Sequence, residues 1–204
     1  MAKRRNVSRV ELDAAIRVIY FCQYRNKQTA MKLTPVIERY VLHWGEMGSR
    51  WGVNRSVAQV HALLYLAGRP MTAEEIAETL GHARSNVSTS LHELLSWNLI
   101  ELTSVLGDRR DYYDAKRDNW EILTTIVEGR KRREIDPTIA MLRQCAADAG
   151  SDNQTPAEVK ARIESMLGFV ETLARWYEDM RVVPKPVLVK LMNLGAKVAR
   201  FVGK

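Results

Sequence analysis

Cysteine is nearly missing from this chain. Its two, Cys22 and Cys145, stand far apart and form no Cys-x-x-Cys pair, which argues against a disulfide framework and a thiolate zinc site. A reducing cytoplasm suits that usage. Histidine is equally sparse: His43, His61, His82 and His92 are never at metal-ligand spacing. His92-Glu93 opens like a zinc-protease helix, but Ser96 stands where the second histidine belongs. There is no glycine-rich phosphate loop and no Gly-x-Ser-x-Gly elbow, and the acidic residues are scattered over helix faces. The expectation is no catalytic residue, no metal, no cofactor and no enzyme. Long apolar runs are also lacking. Met1-Ala2-Lys3-Arg4-Arg5 starts like an export signal, yet Glu11, Asp13 and Arg17 interrupt the stretch that should be apolar, and Val18 to Cys22 is far too short to span a bilayer.

What is present is apolar and basic. A hydrophobic share of 46% over 204 residues, with only 11 Gly and 6 Pro, supports one sizeable core or a small domain with helical extensions. The net charge of +7 favours an anionic partner, nucleic acid ahead of a membrane surface.

Met71 to Ala115 organises the rest. Thr72-Ala73-Glu74-Glu75 fits a capping box flanked by Met71 and Ile76 as a hydrophobic staple, and Gly81 supplies the left-handed end of that short helix. A second helix, Arg84 to Trp97, spaces Val87, Leu91, Leu94 and Leu95 along one buried face. Its other face carries Arg84, Ser85, Asn86, Ser88, Thr89 and His92. These short, donor-rich side chains suit base edges and phosphates, where an ordinary solvated face would show Glu and Lys. Asn98 suits a left-handed cap. Ile100 to Val105 and Asp111 to Ala115 then read as strands joined at Gly107-Asp108-Arg109-Arg110, which puts Arg109 and Arg110 near a hairpin tip, within reach of a minor groove. The order reads as a winged helix-turn-helix.

The segments Gly52-Val53-Asn54-Arg55-Ser56-Val57, Leu63-Leu64-Tyr65-Leu66, Pro70-Met71-Thr72, Glu75-Ile76-Ala77, Ser85-Asn86-Val87-Ser88 and Gly107-Asp108-Arg109-Arg110-Asp111-Tyr112-Tyr113 resemble the GbsR-type branch of the MarR superfamily of bacterial transcriptional regulators, over roughly residues 36 to 142. The resemblance implies a dimeric winged-helix DNA binder, often a repressor, with a small-molecule pocket between its DNA-binding and dimerisation parts. Where that family commonly has Ser, this chain has Ala83, so the second helix lacks a side-chain cap, at a cost of about 1 kcal/mol. The branch's namesake answers to choline or betaine.

The remainder is read as helices seeking partners. Residues 1–34 form an arm with a basic tip at Lys3, Arg4, Arg5 and Arg9, which either packs on a partner subunit or touches DNA. Residues 35–117 form the DNA-binding domain with its leading helix. In that helix Val36, Ile37, Tyr40, Val41, Trp44, Met47 and Trp51 recur at helical spacing behind Thr34-Pro35. Trp44 and Trp51 are core residues or line an effector pocket suited to a cation. A further helix, Arg55 to Ala67, faces Val57, Val60, Leu63, Leu64 and Leu66 inward.

Residues 118–204 form a C-terminal helical dimerisation region. Asp118 caps its first helix, Arg130 to Arg133 are a solvated run or phosphate contacts, and Pro137 kinks that helix or begins another. Gly150 to Pro156 is a linker in which Thr155 caps the next helix. That helix carries Val159, Ile163, Met166, Leu167, Val170, Leu173 and Trp176. The basic amphipathic tail from Val187 docks on the dimer core or lies on an anionic membrane. The expected function is a cytoplasmic, homodimeric regulator that binds a pseudo-palindromic operator in double-stranded DNA and is modulated by a small-molecule effector. The alternatives are a protein-interaction module and a peripheral membrane protein.

Overall fold

The computed structural model describes residues 31–104 and 108–202, with side chains described through residue 195. The basic arm with Cys22, the turn residue Gly107 and the last basic residues of the tail lie outside the described residues. The chain divides into two compact units between Ile126 and Val127.

In the first unit, α1 (Pro35–Arg50) starts where the Thr34 hydroxyl accepts the Ile37 amide at 3.4 Å and Pro35 fills the first turn. Its buried residues are Val41, Gly45 and Gly48, while Val36 and Trp51 are exposed. Within the stripe expected from the sequence, Val41 is buried and Ile37, Tyr40, Trp44 and Met47 are half-buried, so only its two ends depart from it, while Gly45 and Gly48 join the buried side. The reason is backbone proximity: a Cβ at Gly48 would stand 2.6 Å from the Ala58 Cβ, and one at Gly45 2.7 Å from the Gln59 Cγ. The glycine side of α1 therefore lies against the next helix, α2 (Arg55–Ala67). The Asn54 side chain opens α2 by accepting the Ser56 amide at 2.8 Å, and Gly68 closes it at φ +59°. Every residue of α2 from Val57 to Leu64 is buried.

Met71–Thr72 forms a short strand, β1, rather than only a staple, and fully buried Met71 pairs with Tyr113. An N-cap residue already has extended backbone, here φ −82° and ψ 160° at Thr72, so it can join a sheet while its hydroxyl accepts the Glu75 amide at 3.2 Å. The helix it caps, α3 (Ala73–Leu80), ends at Gly81 with φ +64°. The other half of the expected capping box is replaced: the Glu75 carboxylate is held by both terminal nitrogens of Arg69. After α4 (Arg84–Ser96), Asn98 takes φ +57°, and β2 (Ile100–Ser104) and β3 (Asp111–Ala115) complete the wing. The sheet is antiparallel in the order β1-β3-β2. Val60, Leu63, Leu64, Met71, Ile76, Val87, Leu91, Leu94 and Ile100 make one core. Burying each contributes about 2 kcal/mol.

Asp118 caps α5 (Asn119–Arg130), accepting the Trp120 and Glu121 amides at 2.7 and 3.1 Å, and the Tyr65 hydroxyl donates to Asn119 at 2.8 Å. From Lys131 to Ile135 the chain takes a wide π turn before α6 (Asp136–Ser151). The turn accommodates Pro137, which has no amide to donate and whose ring would crowd the carbonyl four residues back. The helix is thus widened ahead of the proline.

In the second unit Thr155 does not cap. Its amide and hydroxyl both donate to Asp152, and Pro156 occupies the cap position of α7 (Ala157–Arg181). Arg143 pairs with Glu171 at 2.7 Å, and Lys131 pairs with Asp136 at 2.9 Å and Glu178 at 3.1 Å. No residue of α7 is buried, and Met166, Phe169, Leu173 and Trp176 are all exposed. The last helix, α8 (Lys185–Val202), begins two residues before the expected Val187. No helix among the described residues is long and apolar enough to cross a membrane.

Candidate nucleic-acid interface

Helix α4 is anchored by Val87, Leu91 and Leu94, with Ser90 also buried at 1% exposure. That anchoring turns Arg84, Ser85, Asn86, Ser88, Thr89 and His92 outward, and all six are exposed. Ala83 caps the helix without a side-chain hydrogen bond, as its residue type requires.

The six are not equivalent. Arg84 pairs with Glu74 at 2.5 Å. The Asn86 amide donates to the Ser56 hydroxyl at 2.9 Å, fixing the start of α4 to the start of α2. Thr89 donates its hydroxyl to the Ser85 carbonyl at 3.1 Å, which leaves its oxygen as an outward acceptor. Ser85, Ser88 and His92 complete the exposed face.

The wing separates its two arginines. Arg109 is exposed. Arg110 is held: its Nε donates to both Asp108 oxygens at 3.0 and 3.1 Å, and its Nη2 to Asp108 at 2.6 Å and to the Tyr112 hydroxyl at 2.9 Å. Tyr112 in turn donates to Asp108 at 2.8 Å. Hydrogen bonds from Arg110 hold the Asp108 carboxyl well below the usual carboxylate range, and Asp108 in turn raises the affinity of Arg110 for its proton. A guanidinium has five N–H donors, and the bonds to Asp108 and Tyr112 use Nε and Nη2, so those bonds leave the Nη1 hydrogens of exposed Arg110 unused. The roles of Asp108 and Tyr112 have no marker in the sequence beyond their closeness to Arg110, two residues away on either side.

Trp44 and Trp51 have different surroundings. Trp44 is half-buried and stacks on Tyr40 with centroids 5.4 Å apart, whereas Trp51 closes α1 as its C-cap and is 63% exposed. On α2, His61 is buried with no partner for its Nε2, and burial pushes its pKa down to about 4. No cluster of three or more metal-ligating residues occurs among the described residues.

Residues 51–111 match the MarR family. The chain is similar to the HTH-type transcriptional repressor OpcR of Bacillus subtilis strain 168, 20% identical over 157 residues, spanning 74% of this chain and 84% of OpcR. It is also similar to YvaV of the same organism, 21% identical over 151 residues, spanning 67% of this chain and 85% of YvaV. A crystal structure of a transcriptional regulator aligns with a TM-score of 0.57 at 20% identity, covering 72% of this chain and 95% of that one.

Proposed function

Proceeding from a MarR-like winged helix, we propose that this chain is a sequence-specific, DNA-binding transcriptional regulator, a repressor of the GbsR type acting as a homodimer. The observation that carries the reading is the outward face of α4, short and donor-rich, mounted on a buried apolar face beside a wing that presents an arginine held by Asp108. In this reading α4 enters the major groove, where Ser85, Ser88, Thr89 and His92 meet base edges or nearby phosphates. Asn86 contributes through the oxygen left over from its bond to Ser56. Arg84 neutralises phosphate, and Arg109 and Arg110 track the adjacent minor groove.

Residues 35–117 bind DNA, and residues 118–204 join two copies, so the operator is pseudo-palindromic with half-sites about one helical turn apart. An effector that binds the two DNA-competence states unequally regulates the protein, with Trp44 and Trp51 as the candidate pocket. A gel-shift titration on the protein's own promoter tests the reading. Arg109→Ala should weaken binding and reduce the salt slope by about 1. Unchanged affinity and slope would remove Arg109 from the interface, and a protein partner bound in place of DNA would make the winged helix a docking module.

A further inference from the structure

Two cations of the recognition surface share one acidic neighbour. Glu74 stands in the first turn of α3 and pairs with Arg84, the first residue of α4, at 2.5 Å. Its charge also acts on Arg110, just ahead of the wing strand β3, and on Tyr113 within it, behind larger local influences at each. The pair is open to water, with Arg84 72% and Glu74 42% exposed, and exposed ion pairs contribute little to folding. Helix α3 does not depend on Glu74 for its cap, because Thr72 supplies it, and the neighbouring Glu75 is occupied by Arg69. A carboxylate at this point repels phosphate and competes with it for Arg84.

We infer that Glu74 is a specificity-determining residue that restrains sequence-independent phosphate binding, so that Arg84 is released to DNA only where the contacts of α4 to the bases offset the broken pair. The inference rests on the DNA-binding reading. A neutral residue at this position frees one cation on every duplex, matched or not. Affinity then rises most where base contacts contribute least, and discrimination falls.

The experiment is a salt-dependent binding titration of Glu74→Gln and the unaltered chain, on a promoter fragment and on a random duplex, with circular dichroism confirming equal folding. Glu74→Gln should bind the random duplex about tenfold tighter at low salt, steepen its salt slope by about 0.9, and narrow the ratio between the two duplexes. In an Arg84→Gln background the same change should have much less effect. Unchanged affinity and slope overturn the inference. Weaker binding by Glu74→Gln also overturns it, because Glu74 would then hold Arg84 in place for DNA. If the unaltered chain binds neither duplex at low salt, the DNA-binding reading itself falls.

Discussion

The two units solve the burial of apolar surface in opposite ways. Between Val57 and Ala115 the chain closes a core on itself, with Leu63, Leu64, Met71 and Ile76 sealed from water. Among the described residues from Val127 onward, the helices bury little beyond Gly129, Ile139 and Ala149, and α7 leaves Phe169, Leu173 and Trp176 in water. The helices of the second unit meet through ion pairs such as Arg143–Glu171 and Lys131–Glu178, which suits faces that are not sealed. The lesson is a division of labour. Under the proposed reading, a surface that holds side chains in register for DNA needs a rigid support, whereas an unsealed apolar face is suited to association.

The sharpest way to break the comparison is a matched pair of truncations. Leu91→Ala should lower unfolding free energy in urea by about 2–5 kcal/mol, because Leu91 is 1% exposed. Leu173→Ala, at 50% exposure, should change stability by under about 0.5 kcal/mol at protein concentrations low enough for the chain to stand alone. A loss at Leu173 as large as that at Leu91, and dependent on protein concentration, would show that the α7 face is covered in solution.

Acid should act on the first unit. Above pH 6.5 His61 is neutral in both the folded and the unfolded chain. As the pH falls from 6.5 towards 4, the unfolded chain takes up a proton that the buried imidazole refuses, so stability drops, by up to about 3 kcal/mol in all. Urea titrations across that range should show the loss, and His61→Leu should flatten it. The smallest effect is a gain. Ala83→Ser supplies the missing cap of α4 and should raise the unfolding free energy by about 1 kcal/mol, read as a shift in the urea midpoint.

Much of the first unit was legible because its signals are local. The caps at Thr34, Thr72 and Asp118, the left-handed turns at Gly81 and Asn98, and the outward set from Arg84 to His92 each depend on a few neighbouring residues. At two expected caps a competing partner decided. Glu75 gave its carboxylate to Arg69, and Thr155 turned back to Asp152. In α1 the periodicity holds for Ile37, Tyr40, Val41, Trp44 and Met47 but not for Val36 and Trp51 at its ends, and it gives no sign of the close approach at Gly45 and Gly48, which depends on the neighbouring helix.

By itself, the sequence determined the order of the helices and of the two wing strands, several of the helix caps, the basic character of the chain and the residues that face outward from α4. Each depends on backbone propensity and spacing within a few turns. Tertiary structure alone decided that Met71 joins the sheet, that Asp108 and Tyr112 hold Arg110 while Arg109 stays exposed, and that Glu74 pairs with Arg84. Those outcomes are competitions between hydrogen-bonding and charged groups, and only the folded geometry fixes which partner lies within reach.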